Sequence, residues 1–115
     1  MEFNRVLIDG DSCPRKMFRK AREEYSEIHV FCDEAHYFDE TKYDNVIVHD
    51  IESGQDAVDD AILDFGQSGD YLISRDKELI RYAIRKNLKP LKPDWTVYKY
   101  GEVIFKTNQY TYCSK

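Results

Sequence analysis

Short apolar runs alternate with amphipathic segments along most of the chain, and this alternation limits the possible folds more than any other feature. The apolar runs are RVLID (5–9), EIHVFCD (27–33), NVIVHD (45–50), YLISRD (71–76) and LKPLK (88–92). Their length and their β-branched and aliphatic content are typical of strands in a buried parallel sheet. Strands that alternate with helices form such a sheet with helices on both faces. We therefore expect an α/β fold, a three-layer α/β/α sandwich with a mainly parallel central sheet.

Three segments between these runs have the apolar spacing of amphipathic helices. They are PRKMFRKAREEY (14–25), DAVDDAILDF (56–65) and KELIRYAIRKN (77–87). Pro14 suits the first position of the first helix, with Ser12 or Cys13 as its cap. Gly66 suits the end of the second. Each helix is expected to pack its apolar stripe against the sheet.

The length of 115 residues, without a linker or a repeat, indicates a single domain over residues 1–115. Pro90 weakens the last strand and predicts that it lies at an edge of the sheet. The residues after it predict a C-terminal hairpin around Tyr100-Gly101. The N-terminus lacks a signal-peptide pattern, no window reaches the roughly 18 apolar residues of a membrane span, and three cysteines without C-x-x-C spacing fit reduced thiols. We expect a cytoplasmic protein without a membrane partner.

The charges of the chain are segregated along the sequence. The net charge is -5, but 12 of the 17 Lys and Arg residues fall within 15–22 and 75–92, whereas residues 33–64 hold eleven acids and one base, Lys42. A surface with separate basic and acidic regions is therefore expected. The bases that flank the candidate acidic site described next are Arg15, Lys16, Arg75 and Lys77. These four side chains are candidates for holding the backbone of a nucleic acid.

Six aspartates are expected at one rim of the sheet. They follow the first strand, follow the fourth strand or begin the second helix, and they are Asp9, Asp11, Asp56, Asp59, Asp60 and Asp76. The carboxyl ends of parallel strands meet at one edge, and ligands bind there near the switch in strand order. Residues two apart on an extended segment, and three or four apart on a helix, share a side. The six carboxylates are therefore expected to converge.

Converging carboxylates repel one another unless a cation compensates them. Hard divalent ions prefer oxygen ligands, so all six aspartates are candidate ligands of Mg²⁺ or Mn²⁺. Such an ion activates water and stabilises charge on a phosphate, which is what phosphodiester hydrolysis requires. We assign the catalytic carboxylates to Asp9, Asp56, Asp60 and Asp76. Aspartate is also common as a helix cap and in first helical turns, so each residue alone has a purely structural explanation.

Three stretches resemble, in order and approximate spacing, the motif blocks of the YaiI/YqxD family. They are LIDGDSCP (7–14), GQDAVDDAI (54–62) and YLISRDKELIRYAIRKNLKPL (71–91). The family shows D-A-D-A-C-P, D-A-A-D-D and T-A-D-I-P-L-A at these places. The matching residues are Asp9, Asp11, Cys13 and Pro14, then Asp56, Ala57, Asp59 and Asp60, then Asp76 and Leu79. The chain departs from the pattern at Gly10 and Ser12, and in SRDKEL, which is closer to the wider PIN pattern.

This resemblance implies a PIN-like fold, allied to the PIN and NYN nuclease-like domains, with an acidic Mg²⁺ or Mn²⁺ site. The implied reaction is cleavage of phosphodiester bonds, with RNA preferred to DNA as the substrate. Ser74 matches the small hydroxyl residue that PIN domains place beside the fourth-strand aspartate, where it binds nucleic acid or a metal-bound water, or else caps the next helix. The chain stops sooner than the family usually does, and we expect this to expose part of the site or to leave a surface for self-association in a homodimer.

Three other functions remain open at this stage. A receiver-type signalling domain fits the acids after the first strand, Asp50 after the third and Lys89-Pro90 in the fifth. A phosphatase of the haloacid dehalogenase type fits hydrophobic-D-x-D, with Asp9 as nucleophile and Asp11 as acid. A PIN-like module that binds RNA or protein without cleaving it fits as well. The acidic motif DAVDD favours the nuclease over the first two.

The remaining reactive and aromatic residues have weaker functional interpretations. Cys13 lies next to the acidic site at a helix N-terminus, but no histidine is adjacent in sequence to activate it. The three histidines, His29, His36 and His49, lack metal-ligand spacing and are interpreted as structural or surface residues. The long connection carries aromatic residues that either stack on bases or pack beneath their own loop, namely Tyr37, Phe38 and Tyr43.

Overall fold

The structure is a computed structural model that describes residues 5–33, 44–52, 54, 56–99 and 101–102. Predicted features that fall in the connection 34–43, including His36 and its three aromatic residues, lie outside these ranges. The strands are β1 (Arg5–Asp9), β2 (Glu27–Asp33), β3 (Val46–Ile51), β4 (Tyr71–Ile73) and β5 (Lys89–Pro90). The helices are α1 (Arg15–Glu24), α2 (Ala57–Phe65) and α3 (Lys77–Arg85), and a 3-10 helix spans Gly10–Ser12.

The five strands form one parallel sheet in the order β3-β2-β1-β4-β5. The order runs outward from β1 in both directions, so the switch in strand order lies between β1 and β4. In the register of this pair, Ile8 lies opposite Ile73. The next residues along these strands, Asp9 and Ser74, therefore emerge side by side at the switch.

Two apolar layers separate the helices from the sheet. On one face Val6 and Ile8 of β1 pack with Phe18 and Ala21 of α1. On the other face Leu7, between those two residues, packs with side chains of α2 and α3. The alternation within β1 follows from the period of two in a strand. The predicted three-layer α/β/α sandwich with a parallel sheet is therefore confirmed, and it is consistent with a PIN-like arrangement.

The first helix begins one residue later than predicted. Pro14 is extended, with φ -62° and ψ 138°, and forms the N-cap rather than the first helical residue. Its carbonyl accepts hydrogen bonds from the backbone N–H groups of Met17 and Phe18, at 3.0 and 3.1 Å. The hydroxyl of Ser12 accepts a bond from another loop, so the expected cap at Ser12 or Cys13 is wrong.

The end of the described chain differs in part from the prediction. Strand β5 lies at the edge of the sheet, as Pro90 predicts. Leu91 forms an isolated antiparallel bridge with Val97, but Gly101 and Glu102 are helical. A hairpin turn at Gly101 is therefore wrong, and the second strand predicted for that hairpin lies outside the described ranges. Within the described ranges, no helix is long and apolar enough to cross a membrane.

Candidate functional site

A buried pair of side chains occupies the switch point between β1 and β4. The Ser74 hydroxyl donates to Asp9 Oδ2 at 2.9 Å, and the backbone N–H of Asp11 donates to Asp9 Oδ1 at 3.2 Å. Asp9 and Ser74 are 4% and 6% exposed. Burial raises the pKa of Asp9; the bonds from Ser74 and Asp11 oppose that rise. The carboxylate is held in one orientation where parallel sheets of this kind bind ligands.

The close approach of the first loop to β2 depends on Gly10. A Cβ atom at this position would lie 3.0 Å from both the Cys32 Cβ and the Phe31 carbonyl oxygen. Contacts this short require the neighbouring strand to shift. Gly10 therefore allows the 3-10 turn to lie against the sheet directly after Asp9.

Two loops meet around this pair. The backbone N–H of Arg75 donates to Ser12 Oγ, and that of Asp76 donates to Ser74 Oγ, both at 3.0 Å. The Asp76 Oδ1 atom accepts hydrogen bonds from the N–H groups of Glu78 and Leu79, at 3.0 and 3.2 Å. Asp76 is thus the N-cap of α3 and also holds a negative charge at the rim.

Asp59, in the first turn of α2, feels the charges of carboxylates on the two loops that follow β1 and β4. The pKa of Asp59 is raised to about 7, first by burial and then by neighbouring carboxylates, which in falling order of effect are Asp76, Asp9, Asp56 and Asp60. Three separate segments of the chain therefore place negative charge around one side chain. The structure brings Asp9, Asp59 and Asp76 into a common electrostatic environment, as the sequence pattern predicts.

Asp11, Asp56, Asp60 and Asp76 are exposed, whereas Asp59 is half-buried and Asp9 is buried. Asp56 precedes α2 with φ 59°, in the left-handed region, and its side chain makes no cap hydrogen bond. Among the described residues, no three His, Cys, Asp or Glu side chains lie close enough together to hold one metal ion directly. The six aspartates therefore share a rim but do not form a preformed three-ligand cage.

An open groove of about 360 Å³ continues from the rim between α2 and α3. Its lining residues are Asp56, Asp59, Asp60, Leu63, Glu78 and Tyr82. Sequence reasoning missed Glu78 and Tyr82, although a glutamate two residues after the capping Asp76 was a usable signal. Glu78 is the fourth acid in the groove, after the three aspartates of α2 and its N-cap. The groove therefore favours cations over free anions.

The basic residues assigned to nucleic-acid binding lie near the starts of two helices. Arg15 and Lys16 begin α1, Lys77 begins α3, and Arg75 lies two residues before Lys77. All four are exposed, and none of them lines the groove.

Cys13 is a poor nucleophile in this environment. Burial raises the pKa of its thiol to about 12, and the charge of Asp9 adds to the rise while Arg75 opposes it. The thiol donates to the carbonyl of Pro14 at 3.4 Å. The thiolate required for attack is scarce at neutral pH. This agrees with a structural interpretation of Cys13.

His29 and His49 contact each other across β2 and β3. His29 Nδ1 and His49 Nε2 lie 2.8 Å apart, and His29 Nε2 pairs with Glu27. His49 stacks on Phe31 with 4.4 Å between ring centroids. His29 and His49 therefore have structural partners, in keeping with their interpretation from the sequence.

Replacing Asp59 with Asn is expected to stabilise the fold at neutral and alkaline pH. In the unfolded chain this carboxyl ionises near pH 3.8, and in the folded protein near 7. Between these values the folded state binds more protons, so wild-type stability falls as pH rises. The variant lacks this loss, and its Tm should exceed the wild-type Tm above pH 7 and converge with it below about pH 4.

This expectation is measured by thermal unfolding followed by circular dichroism in EDTA across a pH series. Asp64→Asn, which removes an exposed carboxylate from the same helix outside the groove, is the matched control. If the Tm of wild type and of Asp59→Asn varied with pH in the same way, the crowding of negative charge around Asp59 would be contradicted.

Comparison with known proteins places the chain among bacterial proteins of unassigned activity. Residues 7–109 match the family model described as "Uncharacterized BCR, YaiI/YqxD family". UPF0178 proteins of Clostridium kluyveri and Natranaerobius thermophilus are 32% and 36% identical over 101 and 92 residues, covering 86% and 78% of this chain. The chain spans 64% and 60% of the length of these two relatives. No solved structure matches it.

Proposed function

The chain belongs to the uncharacterised YaiI/YqxD family, and on this premise we propose that it is a divalent-metal-dependent nuclease that hydrolyses phosphodiester bonds, with RNA preferred to DNA. The observation that carries the proposal is the raised pKa of Asp59 among carboxylates from three segments. Such crowding is unfavourable in the absence of positive charge, and a cation relieves it. The location at the switch between β1 and β4 is where ligands bind in parallel α/β sheets.

The donor set fits a hydrated Mg²⁺ or Mn²⁺ ion. Mg²⁺ usually binds through one or two carboxylates and keeps several waters, so a three-carboxylate cage is not needed. Asp9, oriented by Ser74, and Asp59 would hold the ion, with Asp76 contributing through water. When bound, the ion supplies an activated water and stabilises charge on the phosphate.

The protein's own residues orient the reacting groups. The bond from Ser74 holds the Asp9 carboxylate in place, and the cap bonds of Asp76 hold its carboxylate at the start of α3. Asp56 and Asp60 extend the acidic rim toward the groove. Arg15 and Arg75 contact the polymer backbone on the outer side of the rim. The opposed charges direct a polyanion to the rim and direct cations to the groove.

One geometric feature favours this proposal over the receiver. Asp50, which a receiver would phosphorylate, lies on the edge strand β3, and β2 separates β3 from β1. Trapping of a covalent phosphoaspartate on Asp9 would favour the haloacid dehalogenase-type phosphatase instead.

Mn²⁺ titration followed by amide NMR signals tests the metal site. Paramagnetic broadening is expected to begin, at the lowest Mn²⁺ concentrations, at residues 9–11, 56–60 and 76. Binding should strengthen as pH rises through 7, because Asp59 must lose its proton to face a cation. The same protein should cleave single-stranded RNA when Mn²⁺ is present. Protein that neither shows this broadening nor cleaves any oligonucleotide would overturn the proposal.

A further inference from the structure

A cluster of aromatic rings and lysines lies at the end of the sheet opposite the acidic rim. The ring centroids of Tyr25 and Trp95 are 6.5 Å apart, and those of Tyr25 and Tyr71 are 5.4 Å apart. The Lys20 ammonium lies 5.4 Å from the Trp95 ring, and the Lys89 ammonium lies 5.3 Å from the Tyr71 ring. We call these five residues the aromatic-lysine platform. Its rings are partly buried and partly open to solvent.

Trp95 is held in a backbone conformation that large residues rarely adopt. Its φ is 71°, in the left-handed region. The turn that imposes this value is closed by hydrogen bonds from Trp95 N–H to the Lys92 carbonyl and from Lys92 N–H to the Thr96 carbonyl, both at 2.8 Å. Strained residues of this kind concentrate at sites of function. The turn presents the indole on the platform at a conformational cost.

One face of α1 connects the platform to the rim. Arg15, Lys16, Arg19 and Lys20 are exposed in its first turns, opposite the buried face formed by Met17, Phe18 and Ala21. The helix begins beside the rim and ends at Tyr25, a span of about 15 Å. The basic face stops one turn before Glu23 and Glu24, and Asp94 is the acid next to Trp95 in the chain. Positive charge thus runs without an acid between Arg15 and Lys20.

We propose that the basic face of α1 and the aromatic-lysine platform bind single-stranded nucleic acid, so that a strand with a phosphate at the acidic rim extends along α1 and stacks a base on Trp95. This inference rests on the proposed function for the position of the scissile phosphate. The occupant follows from charge complementarity, because four exposed basic side chains on one face of α1 match a polyanion. Aromatic rings interleaved with cations are the usual platform for unpaired bases.

The platform selects single strands for a steric reason. Only an unpaired base can present a free face to the Trp95 ring. When a base stacks there, the Lys20 ammonium leaves the ring and pairs with the adjoining phosphate. A double strand would contact the basic face through phosphates alone and leave the fluorescence of the indole unperturbed.

Fluorescence of Trp95 tests the proposal directly, because it is the single tryptophan in the chain. In EDTA, so that no metal-dependent cleavage occurs, oligo(U) and oligo(dT) of about four to eight nucleotides should quench it. Binding should weaken as salt rises, by roughly 0.7 log units per log unit of salt for each phosphate contact. Lys20→Ala should weaken binding about tenfold, and Arg85→Ala, on a helix packed against the other face of the sheet, should change it less than about twofold.

The outcomes separate this inference from the proposed function. Quenching that depends on Lys20, in a protein that never cleaves, supports the platform and overturns the nuclease. Cleavage by Lys20→Ala at the wild-type rate and affinity, with Trp95 fluorescence unchanged by single strands, overturns the platform and leaves the nuclease standing. Equal loss of affinity in Lys20→Ala and Arg85→Ala would show attraction by overall charge and overturn the platform. Because Lys20 is exposed, its replacement should leave the fold intact, and the circular dichroism spectrum verifies this.

Discussion

Replacing Asp9 with Asn is expected to abolish Mn²⁺-dependent cleavage of single-stranded RNA while leaving the fold in place. Asn keeps the size of the side chain, and its one amide oxygen can accept the backbone bond from Asp11 while its amide N–H donates to the Ser74 hydroxyl. It removes the charge that would hold the cation. Loss of an outer partner at a metal site costs about 10- to 100-fold, so loss of a ligand should lower activity by at least about 100-fold. Cleavage of a fluorescent oligonucleotide and the Tm are the measurements.

Asp76 offers a matched comparison because its charge and its capping role can be separated. Asn caps a helix as well as Asp does, so Asp76→Asn should lose cleavage and keep the Tm. Asp76→Ala should abolish cleavage and also lower the Tm, because the hydrogen bonds from the N–H groups of Glu78 and Leu79 disappear. Asp64→Asn should retain both. Full cleavage activity in Asp9→Asn and Asp76→Asn, or an equal loss of activity in Asp64→Asn, would show that the rim carboxylates have no specific role in cleavage.

Replacing Arg5 with Met is expected to cause a large loss of stability, because Arg5 pairs with Asp70, the residue that precedes β4. Arg5 Nη2 lies 2.7 Å from Asp70 Oδ2, and its Nε lies 3.2 Å from both carboxylate oxygens. The two side chains are 14% and 11% exposed. Removing one partner leaves a nearly buried carboxylate without its cation, which should cost about 3 kcal/mol in the free energy of unfolding.

A double-mutant cycle checks this expectation by thermal unfolding at neutral pH. Arg5→Met alone should lower the Tm by about 10 to 15 °C, and the double variant Arg5→Met with Asp70→Asn should recover part of that loss. Glu102→Gln weakens a pair with Lys92 that is more open to solvent than the Arg5–Asp70 pair, and it should lower the Tm much less than Arg5→Met. A drop of only a few degrees in Arg5→Met, with no recovery in the double variant, would show that the pair adds little.

The strands at the centre of the sheet were the most predictable elements. The bounds of β1 and β2 equal those predicted from the sequence, because each is a short, largely apolar run whose central residues are buried on both faces. Strand β4 ends at Ile73 rather than at 76, because Ser74 and Asp76 turn away to bond Asp9 and to cap α3. Local sequence does not show that these polar residues have partners in other segments.

The acidic site was predictable in its members and less so in its arrangement. The spacing of Asp9, Asp59 and Asp76 on strand ends and a helix start indicates a common rim. Which of these carboxyl groups has its pKa raised most depends on burial and on charges from other segments, and Asp59 combines partial burial with the charges of Asp76 and Asp9. Glu78 and Tyr82 join the groove through the packing of α3 against α2, which pairs residues about 20 positions apart.

The order of apolar and amphipathic segments was enough to specify an α/β sandwich with a parallel sheet and acids at one edge, because strand and helix periods and chain direction are local properties. Tertiary packing alone assigned the switch point to β1 and β4, joined Asp9 to Ser74, and brought Trp95 onto Tyr25 and Lys20. Each of these contacts joins segments tens of residues apart, and burial and charge repulsion at such contacts depend on distances in space rather than on spacing along the chain.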